Sequence, residues 1–109
     1  MIENRRHKRV LSRLRCWCEG QNVTLFVRIG DLSEGGLFLR TSTPLERGTK
    51  ALLRFQVGEA AEVETRATVM WARGDGEEQP PGMGLQFEEL APGTRELIRR
   101  LVEGSEKRP

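Results

Sequence analysis

Tyrosine is missing from this chain of 109 residues, histidine occurs once, and cysteine occurs twice. The only histidine is His7, inside the basic N-terminal cluster. There is no G-x-S-x-G elbow, no phosphate-cradling P-loop and no H-E-x-x-H helix. An enzyme is therefore not expected. Cys16 and Cys18, in "RCWCE", are the only thiols. Two residues apart on a strand, they would close a disulfide ring of poor geometry, and with one histidine they fall short of the roughly four ligands of a zinc site. They read as small buried apolar residues, and neither a metal nor a cofactor is expected. No apolar run approaches the ~18 residues of a membrane span. The basic N-terminus is not followed by the apolar stretch of a secretory signal, so the expected compartment is the cytoplasm. The length suits one domain with one core.

Charge is plentiful but unevenly placed. Arg5, Arg6, Lys8, Arg9, Arg13 and Arg15 lie within residues 5–15 with no acid among them, whereas Glu59, Glu62, Glu64, Asp75, Glu77 and Glu78 gather later. A local basic cluster on a nearly balanced domain, of net charge +2, points to an anionic ligand.

Alternation of period two dominates the chain. Leu14, Cys16 and Cys18 share one face, and so do Val23, Leu25, Val27 and Ile29. Leu37 pairs with Leu39, and Ala51, Leu53, Phe55 and Val57 line up together. Ala61, Val63, Thr65, Ala67, Val69 and Trp71 form the longest such face, and Met83, Leu85 and Phe87 the last. Six short strands separated by Gly- and Pro-rich turns predict a mainly β protein, an antiparallel barrel or sandwich. The polar connection "GDGEEQPPG" (74–82) is the longest and is expected to be the most mobile. After it the period changes: Leu97, Ile98, Leu101 and Val102 recur at helical spacing behind Pro92, so one amphipathic helix should cover an opening of the barrel. The chain thus divides into three parts: a flexible basic segment over residues 1–11, the barrel and helix over 12–103, and a frayed tail over 104–109.

Two motifs carry chemistry. Arg5 and Arg9 offer two planar guanidinium forks, suited to phosphate and to the O6–N7 edge of guanine. In "DLSEGG", Asp31 supplies an acceptor, and guanine is the base with adjacent N1–H and N2–H donors for it. Ser33 adds a small donor and acceptor, while Gly36, with Gly35, permits a tight turn at positive φ. The same residues also suit a purely structural turn, with Asp31 and Ser33 bonding to the backbone.

Together, "RRHKR" and "DLSEGG", with twenty-one residues between Arg9 and Asp31, resemble the PilZ domain, a bacterial receptor module for cyclic di-GMP. Its signatures are R-x-x-x-R and [DN]-x-S-x-x-G. The resemblance continues through "GGLFLRT", "PLERGT", "VMWAR" and "PPGMGLQFEEL". It implies a six-stranded antiparallel barrel with a short C-terminal helix. Arg5, Arg9, Asp31, Ser33 and Gly36 would then bind cyclic di-GMP, with Asn4, Arg6, Lys8 and Gly35 as secondary contacts and His7 tuning the local electrostatics. It further implies a cytoplasmic second-messenger receptor, monomeric or homodimeric, whose N-terminal segment folds over the ligand and whose signal passes to a protein effector. Two alternatives stand beside it. One is a PilZ-like interaction module that binds no nucleotide. The other is a small barrel for single-stranded nucleic acid, which is not expected, because its stacking aromatics are few and fall mostly on predicted core faces.

Overall fold

The computed structural model describes residues 9–57, 61–76 and 78–106, with the side chains of 105 and 106 left aside. The strands are β1 (Val10–Leu11), β2 (Arg15–Gly20), β3 (Val23–Leu32), β4 (Gly36–Arg40), β5 (Lys50–Val57), β6 (Ala61–Arg73) and β7 (Gly82–Phe87), followed by one helix, α1 (Pro92–Glu106). All pairings are antiparallel. The order β3-β2-β5-β6-β7-β4 closes through the β3–β4 pairing into a six-stranded barrel, and β1 lies outside it against β3. The expected barrel and helix are thus the observed ones. Val10 and Leu11, at the end of the segment expected to be flexible, form the extra strand. The helix runs on through Gly104 to Glu106, into the expected tail.

Closure follows from the alternation. Cys16, Cys18, Ile29, Leu37, Leu39, Leu53, Phe55, Val63, Val69, Met83 and Leu85 all point inward and are buried. Hydrophobic burial of this face, about 25 cal/mol per Å², holds the barrel together. Burial also pushes the thiol of Cys16 up to about 12, helped by the neighbouring Cys18, and that of Cys18 up to about 11, helped by Glu19. Both are free, neutral thiols in the core. The β2–β3 hairpin turns on Gln21 and Asn22, both with positive φ, as a two-residue turn matched to strand twist requires. On α1, Pro92 occupies the first turn, where its missing N–H is not needed, and the Ala91 carbonyl accepts from Arg95 N–H at 2.9 Å. Ile98 and Val102 are the helix residues buried in the common core.

Two irregularities depart from simple alternation. Ile29 pairs with Leu39 and Asp31 with Phe38, so Gly30 is an extra residue in β3. Val69 pairs with Leu85 and Trp71 with Gly84, so Met70 is an extra residue in β6. Each bulge reverses the facing of the residues beyond it. Trp71, which alternation places in the core beside Val69, is turned outward and is 42% exposed. Asp31 is turned outward in the same way, onto the face that carries Phe38.

Candidate ligand site

The outer faces of β3, β4, β7 and β6 form one side of a cavity of about 750 Å³, bordered by β1 and by the 79–80 segment. Its chemistry begins at the Gly30 bulge. Leu11 pairs with Asp31 on the side of β3 away from Phe38, and this register brings Arg9, two residues earlier, to the Asp31 carboxylate. Arg9 donates from Nε to Asp31 Oδ1 at 2.8 Å, and its Nη2 lies 2.6 Å from the same oxygen. The first motif is thus joined to the second by a direct ion pair. Arg5, Asn4, Arg6, His7 and Lys8 lie outside the described residues.

Next along the chain, Ser33 builds the turn. Its hydroxyl oxygen accepts from the amides of Gly35 and Gly36, both at 3.2 Å, while its own amide donates to the Gly36 carbonyl at 2.9 Å. Ser33 is 2% exposed, so its hydroxyl does the structural work of the Ser-turn that the sequence also allowed. The turn is tied to β7 by Phe87 N–H, which donates to the Gly35 carbonyl at 2.9 Å.

Gly36 departs from expectation in its reason. It does not adopt positive φ; the described glycines that do are Gly48 and Gly76. A Cβ at Gly36 would instead collide with the backbone carbonyl of Leu85, so β4 and β7 approach each other through the missing side chain.

The opposite wall is not evident from the sequence. Phe38 and Trp71 stack with centroids 5.4 Å apart and planes 14° from parallel. They lie flat on the sheet because glycines sit beneath them. A Cβ at Gly30 would come within 2.8 Å of the Phe38 ring, one at Gly82 would also strike Phe38, and one at Gly84 would strike the Trp71 indole. The Arg73 guanidinium lies over both rings, 5.3 Å from the Phe38 centroid and 5.1 Å from that of Trp71. It is fixed by donating from Nε to the Pro80 carbonyl at 2.7 Å and from Nη1 to Gln79 Oε1 at 2.6 Å. The connection expected to be the most mobile is therefore tethered at its C-terminal end. Arg40, opposite Arg28 on the same outer face, adds a further cation at the cavity edge. The legible signal is the set of glycines inside strands at 30, 82 and 84, which marks close approach of another group.

The cavity thus joins fixed guanidinium groups, one carboxylate acceptor and an aromatic face whose exposed part is Trp71, Phe38 being buried at 7% exposure. Among the described residues, no three of His, Cys, Asp and Glu come together as a metal site, and no helix is long and apolar enough to cross a membrane.

Comparison with known families decides the class of this fold: the model of the PilZ domain matches residues 3–104. The chain belongs to the PilZ domain family. Solved structures agree at the level of fold. The Bacillus subtilis inhibitor of motility MotI/DgrA superposes with a TM-score of 0.81 at 19% identity, covering 98% of this chain and 54% of that one. The PilZ domain of Escherichia coli YcgR, solved with c-di-GMP, gives 0.78 at 20% identity, covering 96% and 93%. The PilZ domain of CeSA from a cellulose-synthesizing bacterium gives 0.69 at 20% identity, covering 91% and 98%. This chain spans about half of MotI/DgrA, and a longer YcgR structure is likewise covered over only 47% of its length. A sequence comparison with curated proteins gives no match.

Proposed function

We propose that this PilZ domain is a cyclic di-GMP receptor rather than a catalyst. The observation that carries the reading is the Arg9–Asp31 pair bordering a cavity whose other wall is the Phe38–Trp71 shelf under Arg73. Cyclic di-GMP is a dianion with two flat purines. It requires cations for its phosphates, aromatic surface for its bases and an acceptor for the N1–H and N2–H of guanine. The wall residues offer all three within one cavity. YcgR and Klebsiella MrkH, relatives by fold, were solved in complexes with c-di-GMP, which supports the same ligand here.

In this reading Asp31 accepts from a guanine, Arg9 reaches phosphate or base, and Arg5 supplies the second fork of the R-x-x-x-R motif. Residues 5–9 carry four guanidinium or ammonium groups and one histidine, which repel one another. A bound dianion relieves that repulsion and draws the segment toward the 31–36 turn, and this ordering is the signal passed to a protein effector. Ser33, Gly35 and Gly36 hold the turn in place, with Asn4, Arg6, His7 and Lys8 adjusting the local field.

Calorimetric titration with cyclic di-GMP, cyclic di-AMP, GTP and a short oligonucleotide tests the reading. Saturable binding of cyclic di-GMP in preference to the others is expected, and no binding of it would refute the proposal. The oligonucleotide addresses a second reading that the structure favours more than the sequence does. Trp17 and Phe26 are 43% and 48% exposed on the outer barrel face, with Arg15 over the Phe26 ring. Their centroids lie only 4.5 Å apart, however, so the two rings occupy each other rather than presenting open faces to bases.

A further inference from the structure

We infer that the groove between β1 and α1 docks an acidic amphipathic helix of the protein effector, and holds it more tightly once cyclic di-GMP has fixed β1. The inference rests on the receptor reading and deepens it, by naming the surface and the chemistry of the partner.

A second cavity, of about 1110 Å³, opens where the β1–β2 connection passes the C-terminal half of α1. Val10, Leu14 and Leu101 form its floor, half-buried against the core. Arg13, Arg28, Arg40 and Arg100 border it, all of them exposed, and no acid is among its described lining residues. The crowding of cations works against the fold. Arg28 stands directly opposite both Arg15 on β2 and Arg40 on β4, so three guanidinium groups form one row across the sheet. Like charges in opposed positions destabilise a sheet. Among the described residues, Arg13, Arg15, Arg28 and Arg40 form no ion pair, and Arg100 meets Glu96 only through Nε. Carboxylates brought by a partner offset that repulsion.

The partner's chemistry follows from what the groove has and lacks. An apolar floor inside a cationic rim suits the apolar stripe of an amphipathic helix flanked by carboxylates. β1 offers only two residues of sheet edge, too few to template an added strand, so side chains rather than backbone make the contact. No aromatic is among the described lining residues, so nucleic-acid bases would find no stacking surface. Only Leu11, 87% exposed, stands clear of the floor, so a bilayer would meet charge with little apolar anchor.

β1 joins this groove to the ligand site. Leu11, Gly30 and Arg40 line both cavities. Val10 and Leu11 are held to β3 by two residue pairs, one of them with Asp31, and Arg9 immediately precedes them. A ligand that engages Arg9 and Asp31 therefore fixes one wall of the groove, and the coupling is reciprocal.

The test is fluorescence anisotropy of a labelled leucine–glutamate peptide of about twelve residues, with leucines at helical spacing, titrated with the full chain. Cyclic di-GMP at saturation should tighten its binding about fivefold or more. As competitors, polyglutamate of equal length, an oligonucleotide and phosphatidylserine vesicles should each displace the peptide about tenfold less well than the unlabelled peptide does. Arg28→Glu and Arg100→Ala should each weaken the peptide by about threefold or more, while calorimetry shows cyclic di-GMP affinity changed by less than about threefold. Arg28→Glu gives Arg15 and Arg40 an acidic neighbour, so its melting temperature should not fall, and lost docking is then not unfolding. No peptide binding, equal competition by any of the three, unchanged peptide affinity in both variants, or peptide binding that cyclic di-GMP leaves unchanged or reverses would each overturn the inference while leaving the receptor reading intact. Failure of the unaltered chain to bind cyclic di-GMP would overturn both.

Discussion

Arg9 and Asp31 stand twenty-two positions apart in the chain, yet Arg9 Nη2 is 2.6 Å from Asp31 Oδ1. Each side chain keeps about one third of its surface exposed, 33% and 31%. An ion pair so open to water contributes only about 0–1 kcal/mol to folding. It is therefore cheap to exchange, and a dianion and a guanine edge can divide the pair between them. Arg9→Ala and Asp31→Ala should each lower stability by less than about 1 kcal/mol. Each should weaken cyclic di-GMP by about tenfold or more, or about 1.4 kcal/mol. Asp31→Asn, which keeps a carbonyl acceptor, should lose less than Asp31→Ala. Denaturant titration beside calorimetry separates the two effects, and a large stability loss with intact binding would assign the pair to folding alone.

Ser33 and Gly36 should show the opposite pattern. The Ser33 hydroxyl meets the buried amide of Gly36 and the half-buried amide of Gly35, so Ser33→Ala leaves them without that acceptor, at a cost of about 1–3 kcal/mol in stability. Gly36→Ala drives a methyl into the Leu85 carbonyl and should separate β4 from β7 locally. Binding losses in both should track the melting shift. A Ser33→Ala variant of unchanged stability that no longer binds would instead show direct ligand contact.

The barrel is legible because burial on one face leaves a period-two trace in the sequence, as in Ala51, Leu53 and Phe55 or Met83, Leu85 and Phe87. The motif residues are legible as chemistry. Trp71 is not, because its facing depends on a bulge, and a bulge is defined by the register of a partner strand rather than by the strand itself. The same limit hides the shelf. Phe38 alternates outward beside Leu37 and Leu39, and only Trp71 and Arg73 packed on it, with glycines beneath, bury it to 7% exposure. Gly36 stands out in the sequence as a required glycine on account of a turn angle, whereas the constraint comes from Leu85 on β7.

Ordering of the N-terminal segment predicts a pattern in hydrogen exchange. On adding cyclic di-GMP, protection should rise in residues 4–10 and 31–36 and scarcely at Val69, whose side chain is already buried in the core. Lys8→Ala should reduce affinity mainly at low salt, because it acts through screened attraction rather than a fixed contact. Full protection of residues 4–10 before ligand is added would exclude the switch and leave a preformed pocket.

The buried thiols predict an alkaline limit to stability. Both have folded-state values raised above the ordinary 9.0, Cys16 to about 12 and Cys18 to about 11. Between pH 9 and those values the unfolded chain releases protons that the folded chain retains. Unfolding is therefore favoured as pH rises, and the thiol contribution is fully present below pH 9. Melting curves should fall more steeply above about pH 9 than those of a Cys16→Ala/Cys18→Ala variant, although that variant is less stable overall. Parallel pH profiles would show that the thiols are not held neutral by the core.

Trp71 offers the sharpest separation of fold from site. Its indole rests on Gly84, lies beside Phe38 and carries Arg73, yet it is on the outer face and adds little to the core. Trp71→Ala should cost little stability and weaken cyclic di-GMP by about 1–3 kcal/mol, the range of base–aromatic contacts. Gly84→Ala leaves the indole in place chemically but pushes it off the sheet, which should also displace the guanidinium above it. In a Trp17→Phe background Trp71 is the single tryptophan, so its emission reports the shelf directly. Gly84→Ala should shift that emission toward longer wavelength and reduce cyclic di-GMP affinity nearly as far as Trp71→Ala does. If Gly84→Ala shifts the emission while affinity holds, the flat placement of Trp71 is not what the ligand requires. The binding surface must then be sought on the β1 side of the cavity, around Arg9 and Leu11.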